Sequence, residues 1–315
     1  MQISTVLSRL ALAGVAACAS NSSSELPSRQ TTSSVIALPG DAFYPENLSV
    51  AADGTLYVSS VGGGGIVRLG PSSEVAEPFV TTSKNITGVY VDDDAALLYA
   101  CENDLSAMPA VAPRVLAFHL ADGTQAAAYP FPQGGVCNDF VLGPAHNLYV
   151  TDSSGRIYVL RPGSAALALV TADPSLAPTM AGGFGADGIV WDGDATLYVT
   201  GFSDNKLLQV ALAPDGSARA VTPVTVTPAL QGPDGMRLVD AHTVVIAEWA
   251  GQLSQLELHG DTATGHVVAS GLVSPTSVAL TQGAYWVTEG QIAHFLGLDT
   301  SPPGLPFDVR RVAHK

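Results

Sequence analysis

The sequence predicts an all-β protein, a six-bladed β-propeller with four-stranded antiparallel blades. One short pattern, a polar residue followed by a hydrophobic strand, a turn and a second strand, occurs six times at intervals of 41 to 51 residues. A period of this size, built from short strands, is typical of a radial β array. The chain also contains 32 Gly and 21 Pro, as many short strands joined by tight turns require.

Each repeat begins with a polar residue at the start of its first strand, which we call the leader. The six leaders are Glu46, Thr87, Asn138, Asp187, Asp234 and Thr276. The second strands are predicted at residues 56–60, 97–101, 148–152, 197–201, 244–248 and 285–289. Turn residues such as Asp53-Gly54 and Gly193-Asp194 separate the paired strands, because they tolerate the backbone angles of tight hairpins.

The repeats place the propeller at residues 35–315. Closing the ring requires a strand from outside the last repeat. Residues 35–38, just before the first leader, are the favoured candidate, and residues 307–312 are the competing one.

The first 34 residues predict export. A weakly basic start precedes the apolar run 10–17, which is too short to span a bilayer. We expect residues 1–19 to be an export signal of the lipoprotein type, lipidated at Cys18, with ordinary signal cleavage as the alternative. Residues 20–34 are rich in Ser and Thr and predict a flexible tether. The protein would then be a periplasmic or outer-membrane lipoprotein in a bacterium, or otherwise secreted, with a lipid anchor as its one membrane attachment.

The charge balance limits the partners. Thirteen Lys and Arg stand against 28 Asp and Glu, for a net charge of −15. This excludes nucleic acid, because too little positive charge is present to neutralise phosphates. We expect a monomer that takes a cation and a neutral small molecule.

Two cysteines, Cys101 and Cys137, belong to the propeller. They are predicted at the same rim of neighbouring blades, so a disulfide in an oxidising compartment is one interpretation. Two small buried residues are the other, and the sequence does not decide between them.

A propeller brings the start of every first strand to one mouth of its central channel. Four leaders therefore converge as metal-ligand candidates: Glu46, Asn138, Asp187 and Asp234. Taken singly, each is better explained as a structural strand or turn cap than as a functional residue. Together they offer only hard oxygen donors, which suit Ca²⁺ first and Mg²⁺ or Mn²⁺ next, and argue against zinc. Three carboxylates around one point would also repel each other without a cation.

The leader motifs resemble those of the gluconolactonase, regucalcin and luciferin-regenerating enzyme family. The matching segments are 45–47, 137–139, 186–188 and 232–236, within a resemblance over residues 40–300. It implies a six-bladed propeller that holds one divalent cation through Glu46, Asn138, Asp187 and Asp234. The implied activity is hydrolysis of a lactone or related ester, in which Asp234, or less readily Asp187, takes the proton from water.

The chain departs from that family pattern in three ways. Asp187 stands where the family has Asn, and Glu46-Asn47 replaces Glu-Gly-Pro. The substrate-contacting arginine of sugar-lactone members has no counterpart, since Arg114 is predicted in a third strand. The last departure argues against a sugar lactone as substrate.

Further candidates for substrate contact lie at the same predicted rim. They are Asn85 and Thr87 at the mouth of the second repeat, and the acids that end second strands, Glu102, Asp152, Glu248 and Glu289. The alternative for each acid is a solvated rim residue.

The sequence does not decide between two functions. One is a metal-dependent lactonase or esterase. The other is a non-catalytic cell-envelope propeller that binds a ligand or partner, with a purely structural metal. A propeller of the strictosidine-synthase type, with a catalytic acid and no metal, is disfavoured by the four aligned ligands. The sequence determines neither the substrate nor the metal.

Overall fold

The computed structural model describes residues 35–105 and 111–314. These residues form 24 strands, two short 3-10 turns (Pro144–His146 and Pro174–Leu176) and the short helix α1 (Ile292–Phe295). The predicted all-β class and four-stranded antiparallel organisation are confirmed. The predicted export signal, tether and lipidation site at Cys18 lie outside the described residues. Among the described helices, none has the length and apolar character needed to cross a membrane.

The first three repeats each form a separate antiparallel sheet with its strands in chain order. The first contains β2 (Pro45–Val50), β3 (Leu56–Ser60), β4 (Ile66–Leu69) and β5 (Glu77–Val80). The second contains β6 (Asn85–Asp92), β7 (Leu97–Asn103), β8 (Arg114–His119) and β9 (Gln125–Pro130). The third contains β10 (Cys137–Leu142), β11 (Leu148–Asp152), β12 (Arg156–Leu160) and β13 (Ala168–Thr171).

The fourth and fifth repeats share one eight-stranded sheet. The fourth contributes β14 (Ala186–Trp191), β15 (Thr196–Gly201), β16 (Lys206–Leu212) and β17 (Ala218–Thr227). The fifth contributes β18 (Pro233–Asp240), β19 (Thr243–Glu248), β20 (Gln252–His259) and β21 (Thr262–Ser270). The long outer strands β17 and β21 join them in parallel, with residues 225–227 paired to 262–264. Each half on its own is a four-stranded antiparallel repeat.

The sixth sheet uses both candidate closing segments. It contains β22 (Pro275–Thr281), β23 (Ala284–Glu289), β24 (Asp308–Ala313) and β1 (Val35–Ala37), with β24 third and β1 outermost. The predicted alternatives are therefore complementary, because the last repeat has only two strands before α1 and needs two more. Ile36, Phe307 and Val309 are buried together where these strands meet.

The core lies between neighbouring sheets. Leu56 and Val58 of β3 pack in a cluster that includes Phe307 of the last sheet. Tyr57, between them in sequence, packs with Ile86 of the second repeat. Successive side chains of a strand point to opposite faces, so the inner strands are apolar at almost every position because both of their faces are buried.

The first strands of consecutive repeats contact one another, and β22 of the last repeat contacts β2 of the first. The leaders thus face a common centre. Gly88 and Gly188, each directly after a leader, allow this close approach. A Cβ at Gly88 would lie 1.9 Å from the Asn138 carbonyl oxygen, and one at Gly188 would lie 2.5 Å from that of Asp234.

Every first strand carries a β-bulge at its leader. In the first repeat Pro45 pairs with Ser60, and the next aligned pair is Leu48 with Val58. The first strand therefore has one extra residue, and the same shift occurs in the other five repeats. A bulge redirects side chains and is common beside functional sites. It is the local feature that lets a leader turn toward the centre.

Hydroxyl side chains of the second strands tie each bulge to the next repeat. Thr151 Oγ1 donates to the Asp187 carbonyl at 2.6 Å and accepts from the Asp139 N–H at 2.9 Å. Thr200 Oγ1 donates to the Asp234 carbonyl at 2.9 Å. Ser59 and Thr288 make the equivalent bonds to the Thr87 and Glu46 carbonyls. The backbone of a leader is thus held by the preceding repeat.

We expect Thr151→Val to destabilise the protein by about 2–4 kcal/mol, because it leaves the buried Asp139 N–H and Asp187 carbonyl without that partner. Urea unfolding of the variant would measure the change. Thr222→Val, at an exposed position of β17, is the matched control and should shift stability by less than about 0.5 kcal/mol. Equal effects of the two substitutions would contradict the role given to the hydroxyl.

The closing strand also carries a pH-sensitive carboxyl. Burial, followed by repulsion from the neighbouring Glu289, raises the pKa of Asp308 from 3.8 to about 7. The Asp308 Oδ1 atom is buried with no hydrogen-bond partner in the described part of the chain. As pH rises, Asp308 loses its proton at a lower pH in the unfolded chain than in the folded protein. Its contribution to the free energy of unfolding therefore decreases between pH 3.8 and about 7.

Asp308→Asn should remove that pH-dependent loss. After discounting for its partial exposure, we expect a difference of about 1–2 kcal/mol between the pH responses of wild type and variant. Urea unfolding at about pH 5 and about pH 8 checks this, with the exposed Asp41→Asn as control. A parallel pH response in wild type and Asp308→Asn would show that the carboxyl does not titrate in this range.

Candidate functional site

All six leaders line one cavity of about 70 Å³ at the centre of the ring. The four predicted metal ligands, Glu46, Asn138, Asp187 and Asp234, are therefore brought together, with Thr87 and Thr276 completing the floor. We call this set the polar floor. It is assembled from six different repeats through the bulges of their first strands.

Asp187 is the centre of the hydrogen bonding on the floor. Asn138 Nδ2 donates to Asp187 Oδ2 at 3.1 Å and to Ser153 Oγ at 2.9 Å. The carboxyls of Asp187 and Asp234 are close enough that each affects the pKa of the other. The amide hydrogens of Asn138 are thus engaged, and its side-chain oxygen is the donor left for a cation.

Burial and neighbouring charges raise the pKa values of the three acids of the floor. Burial raises the pKa of Asp187 to about 7. Burial, then the charges of Asp187 and Glu46, raises the pKa of Asp234 well above its ordinary value. Burial, then Asp187 and Asp139, does the same to the pKa of Glu46, while Arg237 lowers it. A buried excess of negative charge is what a bound cation would relieve.

The floor has the chemistry of a site for a hard divalent cation. All its donors are oxygens, and Glu46 Oε2 is buried with no hydrogen-bond partner among the described residues. Among the described residues, no group of three or more His, Cys, Asp or Glu side chains is arranged closely enough to hold a metal ion. By their chemistry, the oxygen donors gathered in this cavity fit a hard divalent cation.

A buried charge network that we did not predict lies next to the floor. Arg237 Nη1 contacts Asp139 Oδ2 at 2.8 Å, and Arg237 Nη2 contacts Asn47 Oδ1 at 2.9 Å. Asn47 Nδ2 donates to Asp139 Oδ1 at 3.1 Å. The sequence does contain a signal for this network. Three residues after each leader the other repeats have Ser49, Tyr90, Val141, Val190 and Ala279, so Arg237 is the one charge at that position.

Arg237 also lines a second cavity, of about 340 Å³, further along the first strands. The walls of this cavity are the later, mostly apolar residues of those strands, such as Tyr90 and Trp191. The Asn47–Asp139–Arg237 network therefore separates the polar floor from the rest of the channel.

The acids at the ends of second strands do not line the floor cavity. Each of them is buried and bonded to its own repeat. Glu102 pairs with Arg114, Asp152 with Arg156 at 2.6 Å, and Glu289 with Arg310 at 2.8 Å. Glu248 accepts from Ser254 and Gln252. They hold loops and third strands in place, so the structure does not bring them onto the floor with the leaders. They are buried rather than solvated, and Arg114 is paired with Glu102.

The two candidates from the second repeat differ in placement. Asn85 is bonded to the backbone of Val61 and Leu105 and does not line the cavity. Thr87 does line it, with its hydroxyl donated to the Cys137 carbonyl at 2.7 Å. Thr87 therefore stays a candidate for substrate contact, and Asn85 does not.

Cys101 and Cys137 form a disulfide with their Cα atoms 5.3 Å apart. It joins the second and third repeats directly before Asn138. Asn103 reinforces the same point, since its side chain exchanges hydrogen bonds with the Cys137 backbone at 3.0 and 3.1 Å. The disulfide thus helps to fix the position of Asn138 on the floor.

Above the floor, the cavity is walled by apolar side chains that we did not predict. We call them the apolar collar: Val61, Val136, Phe184, Phe202, Trp249 and Phe295. Val61, Phe202 and Trp249 come directly after the last residues of β3, β15 and β19. Their signal in the sequence is a large apolar residue just past the end of a second strand.

The aromatic side chains of the collar pack against one another and against the core. The ring centroid of Phe202 lies 6.4 Å from that of Phe184 and 5.2 Å from that of Trp249. Phe295, on α1, lies 5.7 Å from the ring of Tyr44, which in turn lies 4.6 Å from that of Phe307. The wall is thereby anchored to the core of the sixth sheet.

Comparison with known proteins agrees with this architecture. The family model described as SMP-30/Gluconolactonase/LRE-like region matches residues 44–288. No curated protein matches the sequence. Among solved structures, a gluconolactonase from Xanthomonas campestris is 15% identical with a TM-score of 0.65, covering 89% of each chain.

Two further structures share the fold. The PQQ-bound aldose sugar dehydrogenase of Streptomyces coelicolor is 16% identical with a TM-score of 0.58, covering 90% of this chain and 98% of its own. Virginiamycin B lyase from Staphylococcus aureus is 13% identical with a TM-score of 0.57, covering 90% and 99%. These likenesses show the β-propeller fold. Their activities differ, so the fold alone does not assign a reaction.

Proposed function

The chain belongs to the SMP-30/gluconolactonase/LRE-like family, and we propose that it is a six-bladed propeller that hydrolyses a lactone or related ester with one divalent cation on the polar floor. The observation that carries this proposal is the convergence of three carboxylates and one amide, from four repeats, in one cavity. Glu46, Asn138 and Asp187 are buried, and Asp234 is half-buried. Calcium is the proposed ion, with Mg²⁺ or Mn²⁺ as substitutes.

The proposed number of six blades counts each repeat as one blade, including the two repeats that share the eight-stranded sheet. The unbroken circle of contacts between first strands supports that count. The join between the fourth and fifth repeats involves only residues 225–227 and 262–264 of their outer strands. It leaves the inner strands of these two blades in the same relation as those of the others.

The cation would be held by Glu46, Asn138, Asp187 and Asp234. When bound, it would polarise the carbonyl of the ester and stabilise the negative charge that develops on that oxygen. The oxygen-only ligand set and the unpartnered Glu46 Oε2 support this assignment.

Proton transfer is assigned to Asp234. We propose that its carboxylate removes a proton from water as the water oxygen bonds to the acyl carbon. The ester C–O bond then breaks, and the proton passes to the departing oxygen, giving a hydroxy acid from a lactone. Asn138 donates a hydrogen bond to Asp187 and orients that carboxyl, which lines the same cavity as Asp234.

The cellular setting is a separate part of the proposal. We propose an exported, lipid-anchored monomer, and the Cys101–Cys137 disulfide supports an oxidising compartment. Incorporation of labelled fatty acid into the wild type, with none in Cys18→Ala, would be the expected result. Equal labelling of both would refute the anchor.

Hydrolysis assays with and without metal test the proposed reaction. The purified protein would be assayed on lactones and aryl esters, then stripped with a chelator, then resupplied with Ca²⁺. Turnover should disappear and return. Asp234→Ala should not respond, whereas Asp94→Ala, in an exposed turn, should behave as wild type. Bound Ca²⁺ without turnover on the whole panel would instead favour the non-catalytic envelope protein.

A further inference from the structure

We propose that the substrate of this site is apolar beyond its ester or lactone group, with an alkyl or aryl substituent that lies within the apolar collar. This inference rests on the proposed function and adds the substrate class. The lining of the cavity is divided into a polar part and an apolar part. Every polar side chain that lines the cavity is a leader on the floor, and every other lining residue is apolar.

The collar offers no group for sugar hydroxyls. None of its side chains has a charge, and its one polar atom is the indole N–H of Trp249. Basic side chains near the strand ends are already committed, as in the Arg114–Glu102 and Arg156–Asp152 pairs. A polyhydroxylated lactone would bury its hydroxyls without partners, which is strongly unfavourable.

The collar is instead built to take an apolar group. Phe202 lies between Phe184 and Trp249 in a row of three rings. Helix α1 adds Ile292 and Phe295, and Leu296 follows directly. Tyr44 holds Phe295 in place. Because this wall is preformed, little ordering would be needed on binding.

The geometry also fixes the direction of the substrate. The reacting carbonyl must reach the carboxylates of the floor, so its substituent points toward the loops that follow the second strands. Those loops carry Val61, Phe202 and Trp249. Chain length on the substituent should therefore matter, and we expect each added methylene to improve kcat/KM about two- to fourfold until the collar is filled.

Two ligand series test the substrate class with Ca²⁺ present. The first is a set of γ-lactones with one ring and alkyl tails of increasing length, beside glucono-δ-lactone, measured by turnover. The second is a set of 2-alkylcyclopentanones, which carry ring and tail but have no ester bond, measured as Kd by calorimetry. Both series should improve with tail length, and glucono-δ-lactone should be the poorest substrate.

Substitutions then locate the tail. Phe202→Asn should flatten the dependence of Kd on tail length. Leu296→Asn, at a more exposed position (39%), provides a second variant if the first does not fold. Leu169→Asn, on an outer strand away from the cavity and 47% exposed, should keep the wild-type dependence. If the dependence persists in both Phe202→Asn and Leu296→Asn, the tail does not lie against the apolar wall of this cavity and the inference is overturned.

The outcomes separate this inference from the proposed function. Ketone binding that tightens with tail length, without turnover of any lactone, would uphold the apolar site and refute the hydrolase. Turnover that is indifferent to tail length, or best with glucono-δ-lactone, would refute the apolar substrate and keep the hydrolase. Failure of both series would overturn both.

Discussion

Asp234→Asn should abolish hydrolysis and stabilise the metal-free protein at the same time. We expect kcat/KM to fall by at least about 10³-fold, because the proposed base and one cation ligand are lost together. In chelator at about pH 8 the variant should unfold with a higher free energy than wild type, because the raised pKa of Asp234 makes its ionised form unfavourable in the folded protein.

The sign of the stability change follows from the raised pKa of Asp234. Burial and the neighbouring Asp187 and Glu46 make this carboxyl bind its proton more tightly in the folded protein. The unfolded chain loses that proton at lower pH, so wild-type stability falls as pH rises. An Asn side chain does not titrate and escapes this loss. Functional sites often hold such unfavourable groups.

Urea unfolding in chelator and lactone assays in Ca²⁺ measure the two effects. Asp94→Asn, on the surface, is the control and should change neither. A variant that is inactive and also less stable than wild type in chelator would mean that Asp234 is a structural residue. It would contradict the claim that the ionised carboxyl of Asp234 destabilises the metal-free protein.

Arg237→Met should cost about 3–5 kcal/mol of unfolding free energy, because it leaves the charge of Asp139 buried and unpaired. Asp139 is fully buried, and the Arg237 side chain is 16% exposed. The same substitution should weaken the cation site. Arg237 lowers the pKa of Glu46, so its removal makes ionisation of that ligand still less favourable.

A double variant distinguishes a lost charge pair from lost packing. Arg237→Met with Asp139→Asn should recover at least half of the stability, because no unpaired charge is then left. Arg68→Met is the matched control. Its partner Glu77 lies 3.7 Å away, and the two side chains are 41% and 64% exposed, so less than about 1 kcal/mol is expected. If the double variant is no more stable than Arg237→Met, the pairing argument fails.

Much of the fold could be predicted from the repeat pattern. The six leaders and the paired strands around Asp53-Gly54 and Gly193-Asp194 follow from local turn chemistry and short hydrophobic runs, which act over a few residues. The sixth sheet could not be resolved in the same way. Its third and fourth strands come from opposite ends of the chain, and pairing Ile36 with Val309 is a long-range choice that local patterns do not contain.

For the candidate site too, the features set by local sequence could be predicted and those set by long-range packing could not. The leaders are at one position of a repeat, so symmetry alone brings Glu46 and Asp234 together. The Arg237–Asp139 pair and the collar depend on bulges and loops whose geometry comes from packing between repeats. The acids at second-strand ends lie outside the floor cavity. Their position suggested function, but arginines on the third strands, such as Arg156 and Arg310, already occupy them.

The most direct test of the central claim is calcium binding by calorimetry on the wild-type protein, beside Glu46→Gln. The polar floor predicts one Ca²⁺ per chain in the wild type and at least about 100-fold weaker binding in the variant, which loses a charged ligand. Wild-type protein that binds no divalent ion, or a Glu46→Gln variant that binds it equally well, would contradict the assignment of the leaders as a cation site.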